Sequence, residues 1–283
     1  MGVIKWGLPL LAPLITSQIW GVMPVGTLCS QDPDCIFYMD FKEGSGLTAK
    51  DQSRNGFTGT LSGGPVILDS RASYTNWAST PFSVSQTSIT YCPITGHYLF
   101  FNGISGEQVT TPTTSIFDFS GNKPFMMAII VKFNTLADNS TILNWDQSLN
   151  LCGWSLEKES NNNLSRFLLE YSVAGNNYWR DKAGNIRTFI DRRPHSFEVW
   201  RDANGNLDLY YDGELSNQIE SAPDPIACAG GSALAFVKAH VGGGVETYNG
   251  SIGTTQIWNN IVPRYQAANF MKAWHNQNYG GGN

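Results

Sequence analysis

The chain has 283 residues, of which 41% are hydrophobic, 12% aromatic and only 14% charged, against about 25% charged in an average globular domain. Its formal net charge of -5 leaves no basic stripe for a phosphate backbone, so no nucleic-acid partner is expected. With 29 glycines and many Asn, Ser and Thr, the composition describes a β-rich, loop-rich body with a neutral polar surface.

Residues 1–35 begin with an apolar run, MGVIKWGLPLLAPLITSQIW, whose one charge is Lys5. A membrane-spanning helix needs about 20 uninterrupted apolar residues. Pro9, Pro13 and the polar Thr16-Ser17-Gln18 deny it that, so no membrane span is expected. The prolines also break the apolar centre of a secretory leader, and no small-x-small cleavage site follows cleanly. The segment therefore reads as a retained arm carrying Trp6, Leu10, Leu11, Leu14, Ile15 and Trp20. It packs at least partly against another subunit of a larger assembly, or else lies as a strand on its own sandwich. Among the five cysteines, Cys29 and Cys35 flank the turn-forming Asp32-Pro33-Asp34. They close a small disulfide loop, or all five are thiols in a reduced compartment. No CxxC pair exists and the four histidines are scattered, which argues against zinc.

Further along, Cys35 to Phe41 reads as the first strand and Glu43 to Gly64 as a loop rich in Gly, Ser, Asp and Asn. Residues 65 to 94 have no clear period and look like an insertion. Strands are expected at Tyr98 to Phe101, Gln108 to Thr111 and Phe125 to Phe133. The last of these contains MMAIIVKF, continuously apolar, which suits a central strand buried on both sides. Thr141 to Trp145, Trp154 to Lys158, Arg166 to Tyr171 and Thr188 to Ile190 continue the series, with hairpin turns at Asn161-Asn-Asn163 and Ala174-Gly-Asn-Asn177.

The clearest local signal is RPHSFEVWRDANGNLDLYYDGEL, Arg193 to Leu215. Phe197 and Val199 share one face of a strand, and Leu207, Leu209 and Tyr211 share one face of the next. Between them Asn204-Gly205 is the dipeptide best able to take the positive φ angles of a tight turn. Such a hairpin must bury its apolar face against a second layer.

This hairpin resembles the penultimate hairpin of laminin-G-like, concanavalin A-like domains. Three further blocks fit at the expected places: FYMDFKEGSGLTAKDQSRNGFTGTL (Phe37 to Leu61), HYLFFNGISGEQVTTP with PFMMAIIVKF (His97 to Phe133), and YNGSIGTTQIWNNIVPRYQAANFMKAW (Tyr248 to Trp274). The resemblance implies an all-β, antiparallel jelly-roll sandwich over residues 36–275, preceded by the arm and followed by a Gly-rich tail at 276–283. That architecture hosts lectins, adhesion modules, glycosidases and structural parts, so function must come from the site.

Sandwich glycosidases need two carboxylates flanking one bond, about 5 Å apart in retaining enzymes, on a Glu-x-Asp-x-x-Glu strand that is absent here. Glu157 and Glu159 share a side of one strand, but Lys158 and the following Ser160 point to a solvated edge. Asp208, Asp212 and Glu214 straddle a turn. Gly-x-Ser-x-Gly is also missing, and GGGVETYNG (Gly242 to Gly250) lacks the Lys-Ser/Thr of a nucleotide loop. No catalysis is expected. The resemblance implies a calcium at the sandwich rim, with Asp51, Asp181 and Asp212 as candidates beside their reading as turn aspartates. AGNNYWRDKAGN (Ala174 to Asn185) offers Asn177, Tyr178, Trp179 and Arg180, a set able to stack on a sugar ring or anchor a protein; the same aromatics also suit capping the core. The expectation is a non-enzymatic module presenting a lectin-like sandwich for glycan or protein contact. It works as a capsid-decoration, tail or adhesion subunit of a virion, especially a phage, or as a secreted lectin or glycosidase relative. A cell-surface glycan is the expected outside partner.

Overall fold

The computed structural model describes residues 29, 32–41, 47–63, 77–78, 98–103, 106–133, 140–146, 152–161, 164–173, 176–180, 195–211, 214–222, 224–237 and 248–261. These form sixteen strands: β1 (Cys35–Met39), β2 (Thr48–Lys50), β3 (Thr58–Ser62), β4 (Trp77–Ala78), β5 (Tyr98–Asn102), β6 (Gln108–Thr114), β7 (Phe125–Phe133), β8 (Ser140–Asp146), β9 (Gly153–Asn161), β10 (Leu164–Val173), β11 (Asn176–Arg180), β12 (His195–Arg201), β13 (Leu207–Tyr211), β14 (Glu214–Ile219), β15 (Ser232–Phe236) and β16 (Asn249–Trp258). Every pairing among the described strands is antiparallel. They make two eight-stranded sheets. The first runs β14-β13-β12-β7-β16-β5-β4, with β1 also paired to β16; the second runs β11-β10-β9-β8-β15-β6-β3-β2. Among the described residues no helix is long and apolar enough to cross a membrane.

Period-two alternation builds the core between the sheets. From the first sheet it takes Phe37, Leu99, Phe125, Met127, Ile129, Val131, Phe197, Val199, Leu207, Leu209 and Ile257. From the second come Leu61, Val109, Trp145, Trp154, Leu156 and Phe236. The expected hairpin is present, with Val199 opposite Leu209 and Gly205 at φ 81°. Asp202 shapes its turn by accepting the Asn204 and Asn206 amides at 2.8 Å each and the Asn206 side-chain amide at 2.8 Å. All nine residues of β7 are buried, the seven apolar residues Phe125 to Val131 together with Lys132 and Phe133.

Three expectations need correction. Residues 43–64 are not all loop, because Thr58–Ser62 alternates exposed and buried with Leu61 in the core, and Thr48–Lys50 pairs alongside it. Isolated thiols are replaced by two disulfides among the described residues, Cys29–Cys35 and Cys152–Cys228, with Cα atoms 5.2 and 5.1 Å apart. The second ties β9 to the loop before β15 across 76 residues of chain. Finally, Glu157 and Lys158 do not lie on a solvated edge: β9 is flanked by β8 and β10, and both side chains are buried. The strand expected at Thr188 to Ile190 and the arm residues Trp6 to Trp20 fall outside the described residues.

Candidate functional site

Because Trp145, Trp154, Leu156, Val109 and Leu61 point into the core, the residues between them define the outer face of the second sheet. Strand register joins eight positions there into one row: Thr48, Thr60, Thr110, Ala235, Asn144, Ser155, Glu170 and Trp179. It crosses all eight strands, a span of seven spacings or about 34 Å at ~4.8 Å each. Thr48 and Thr60 are exposed and Thr110 is half-buried, whereas Asn144 and Ser155 are buried. One end of the row is thus open to solvent, and its middle is a packed floor of hydroxyl and amide groups. Beside it Glu157 accepts the Ser155 hydroxyl at 2.9 Å, and Thr141 is its partner across the strands. Lys158, on the core side, sets its ammonium 5.4 Å from the Phe133 ring centroid.

Of the four residues singled out for ligand contact, all lie on β11, the end strand of this sheet. Trp179 is in register with Glu170 and Ser155, and Asn177 with Ser172. Through β10, Tyr178 is in register with Trp154 and Arg180 with Leu156. The sheet therefore brings Trp179 into line with Ser155 and Asn144 and divides the four between two alternating sets.

The aspartates differ sharply. Asp181 and Asp212 fall outside the described residues. Both oxygens of Asp51 are taken by hydrogen-bond donors: Oδ1 accepts the Tyr38 and Ser53 amides at 2.8 Å each, and Oδ2 accepts the Ser53 hydroxyl at 2.8 Å and the Phe57 amide at 3.1 Å. Burial pushes its carboxyl above the ordinary range, against the pull of those same bonds. Asp51 ties the loop before β3 to β1, and an oxygen pair so engaged does not fit a calcium ligand. Among the described residues no group of three or more His, Cys, Asp or Glu is placed to hold a metal ion.

His195 is buried at the start of β12 and stacks on Tyr211 at 5.0 Å between ring centroids. At the far end of β12 the Arg201 guanidinium donates to the Phe119 carbonyl, Asn122 Oδ1 and Asp224 Oδ1 at 3.2 to 3.3 Å. Asp224 in turn accepts the Gly121 and Asn122 amides. This clamp joins the end of β12 to the loop before β7 and the loop before β15. No local motif announces it, since its members are 23 to 103 residues apart.

No family model and no curated protein matches the chain. Solved structures do. Domain 4 of AbnA, an extracellular GH43 arabinanase from Geobacillus stearothermophilus solved in complex with arabinotriose, superposes with a TM-score of 0.57 at 16% identity, over 84% of this chain and 98% of that one. The botulinum neurotoxin serotype G binding domain gives 0.55 at 13% identity, over 84% of this chain and 50% of that one. The botulinum neurotoxin DC binding domain in complex with rat synaptotagmin II gives 0.54 at 13% identity, over 85% and 52%. The chain spans about half the length of the toxin binding domains. Identities this low establish a shared fold alone, the antiparallel β-sandwich.

Proposed function

We propose that the chain is a laminin-G-like, concanavalin A-like module without catalytic activity that binds a neutral glycan on the outer face of its second sheet. The row from Thr48 to Trp179 carries the reading. Thr48 and Thr60, exposed, and Thr110, half-buried, supply hydroxyls that both donate and accept without charge, the complement of sugar hydroxyls. A tryptophan at the end of such a row is the side chain best suited to stack on the apolar face of a pyranose or furanose. The arabinanase domain solved with arabinotriose and the toxin binding domain solved with SialylT support carbohydrate as the ligand class. The synaptotagmin complex supports protein as the competing class.

The setting is outside the reducing cytosol, because two disulfides are kept in oxidising compartments. An adhesion subunit of a virus particle, the setting read from the sequence, and a secreted lectin both meet that condition. The test is a glycan array probed with the full chain, followed by calorimetry on the best hit. Micromolar binding to a neutral oligosaccharide, unchanged by chelator, is expected. Binding to proteins alone, with every glycan silent, would overturn the reading. Purification of intact particles then decides the setting, since a virion subunit copurifies with them and a secreted lectin does not.

A further inference from the structure

The two outer faces of the sandwich are unlike. On the first sheet the side chains pointing away from the core form a second apolar cluster: Tyr38, Met126, Ala128, Ile130, Trp200, Tyr210 and Trp258, each 7% exposed or less. Glu198, Gln256, Lys132 and Ser251 lie among them and are 1% exposed. A two-layer sandwich leaves its outer faces to water, so burial this complete across β1, β16, β7, β12 and β13 requires a covering layer. Outside these strands the cluster includes, among the described residues, only Cys29, 1% exposed, and the partly buried Ile261.

We infer that the N-terminal segment, residues 1–28, is that layer and lies across the outer face of its own chain's first sheet. Cys29 sits in the cluster and is held to Cys35 by a disulfide at the edge of the face, so the segment before it starts on this surface. The path from β1 to β13 crosses four strand spacings, about 19 Å. Nine extended residues, Trp20 to Leu28, reach about 30 Å at ~3.3 Å each. Composition matches too: residues 1–28 carry one charge, Lys5, and no carboxylate, whereas residues 262–283 hold Arg264, Lys272 and His275 and end in a Gly-rich polar tail. The segment that composition alone assigned at least partly to another subunit thus completes this one.

The test is photo-crosslinking of the full chain with p-benzoylphenylalanine at Trp20, in an equal mixture of light and heavy isotope-labelled protein. Benzophenone should attach to the peptides carrying Met126 to Ile130 or Trp200, in pairs of one isotope only. Mixed-isotope pairs would show the arm on a second copy and overturn the inference. So would attachment to the second sheet, or attachment to this face from a probe at Phe270 instead of Trp20. Deleting residues 1–28 supplies an independent reading: the truncated chain should bind anilinonaphthalene sulfonate several-fold more brightly and self-associate in light scattering. A truncated chain that stays monomeric and dark would contradict the inference equally.

Discussion

Asp51→Ala removes the acceptor for three backbone amides, those of Tyr38, Ser53 and Phe57, and for the Ser53 hydroxyl. The hydroxyl keeps a second partner in the Ile36 carbonyl at 3.2 Å, so it is discounted. Three buried or half-buried amides left without an acceptor cost about 1 to 1.5 kcal/mol each, and removing a buried carboxylate returns about 1 kcal/mol. The net expectation is about 3 kcal/mol of lost stability, read from urea unfolding followed by tryptophan fluorescence. Asp51→Asn separates the two oxygens. Its carbonyl can keep the Tyr38 and Ser53 amides, while its NH2 faces the Phe57 amide donor, so about 1 kcal/mol should be lost. If Asp51→Ala lay within 1 kcal/mol of wild type, or Asp51→Asn cost as much as Asp51→Ala, the carboxylate would not be organising this loop.

Leu209→Ala should cost on the order of 2 to 5 kcal/mol by opening a cavity between the sheets, and Asn204→Ala much less because Asn204 is exposed in the turn; equal shifts in melting temperature would refute the inward placement of Leu209. Replacing Cys152 and Cys228 together by Ser frees a loop of 76 residues, worth about 4.5 kcal/mol by chain entropy, and an unchanged unfolding midpoint would contradict the pairing. Asp202 is held below its ordinary value of 3.8 by hydrogen bonds from Asn206 and Asn204 that outweigh its slight burial. A lowered folded-state value stabilises above 3.8 and is lost as pH falls below it, so the stability gap between wild type and Asp202→Ala should narrow on acidification below about pH 4; a gap that widened would give the opposite sign. Asp51→Asn should leave any calcium-dependent shift in melting temperature unchanged, since donors already occupy both oxygens of Asp51.

Strands with long or strictly alternating apolar patterns were legible in the sequence. β7 declared its two-sided burial through the apolar run Phe125 to Val131, and the β12–β13 hairpin declared its inner face and its turn. β2 and β3 were hidden because so short a pair faces the core with only Ala49, Gly59 and Leu61, and Thr, Gly and Ser elsewhere read as loop. Glu157 and Lys158 misled because charge normally marks solvent; here strand neighbours on both sides enclose them, and Lys158 satisfies its charge partly over the Phe133 ring. Cys152 and Cys228 could not be paired from spacing, since bridges across 76 residues depend on topology. The same holds for the candidate site. YWR was visible as an unusual cluster, but the row linking Trp179 with Ser155, Asn144 and Thr110 exists only once seven strand registers are set.

The central claim is that ligand lies along that row. Calorimetry with one array-selected neutral oligosaccharide on the wild type, Trp179→Ala and Thr110→Arg, with Lys123→Ala in the exposed loop before β7 as the control, tests it most directly. Both face variants should keep the wild-type melting temperature within a few degrees and bind at least tenfold more weakly, about 1.4 kcal/mol, while Lys123→Ala binds normally. Undiminished affinity in both folded face variants would place the ligand elsewhere and contradict the account.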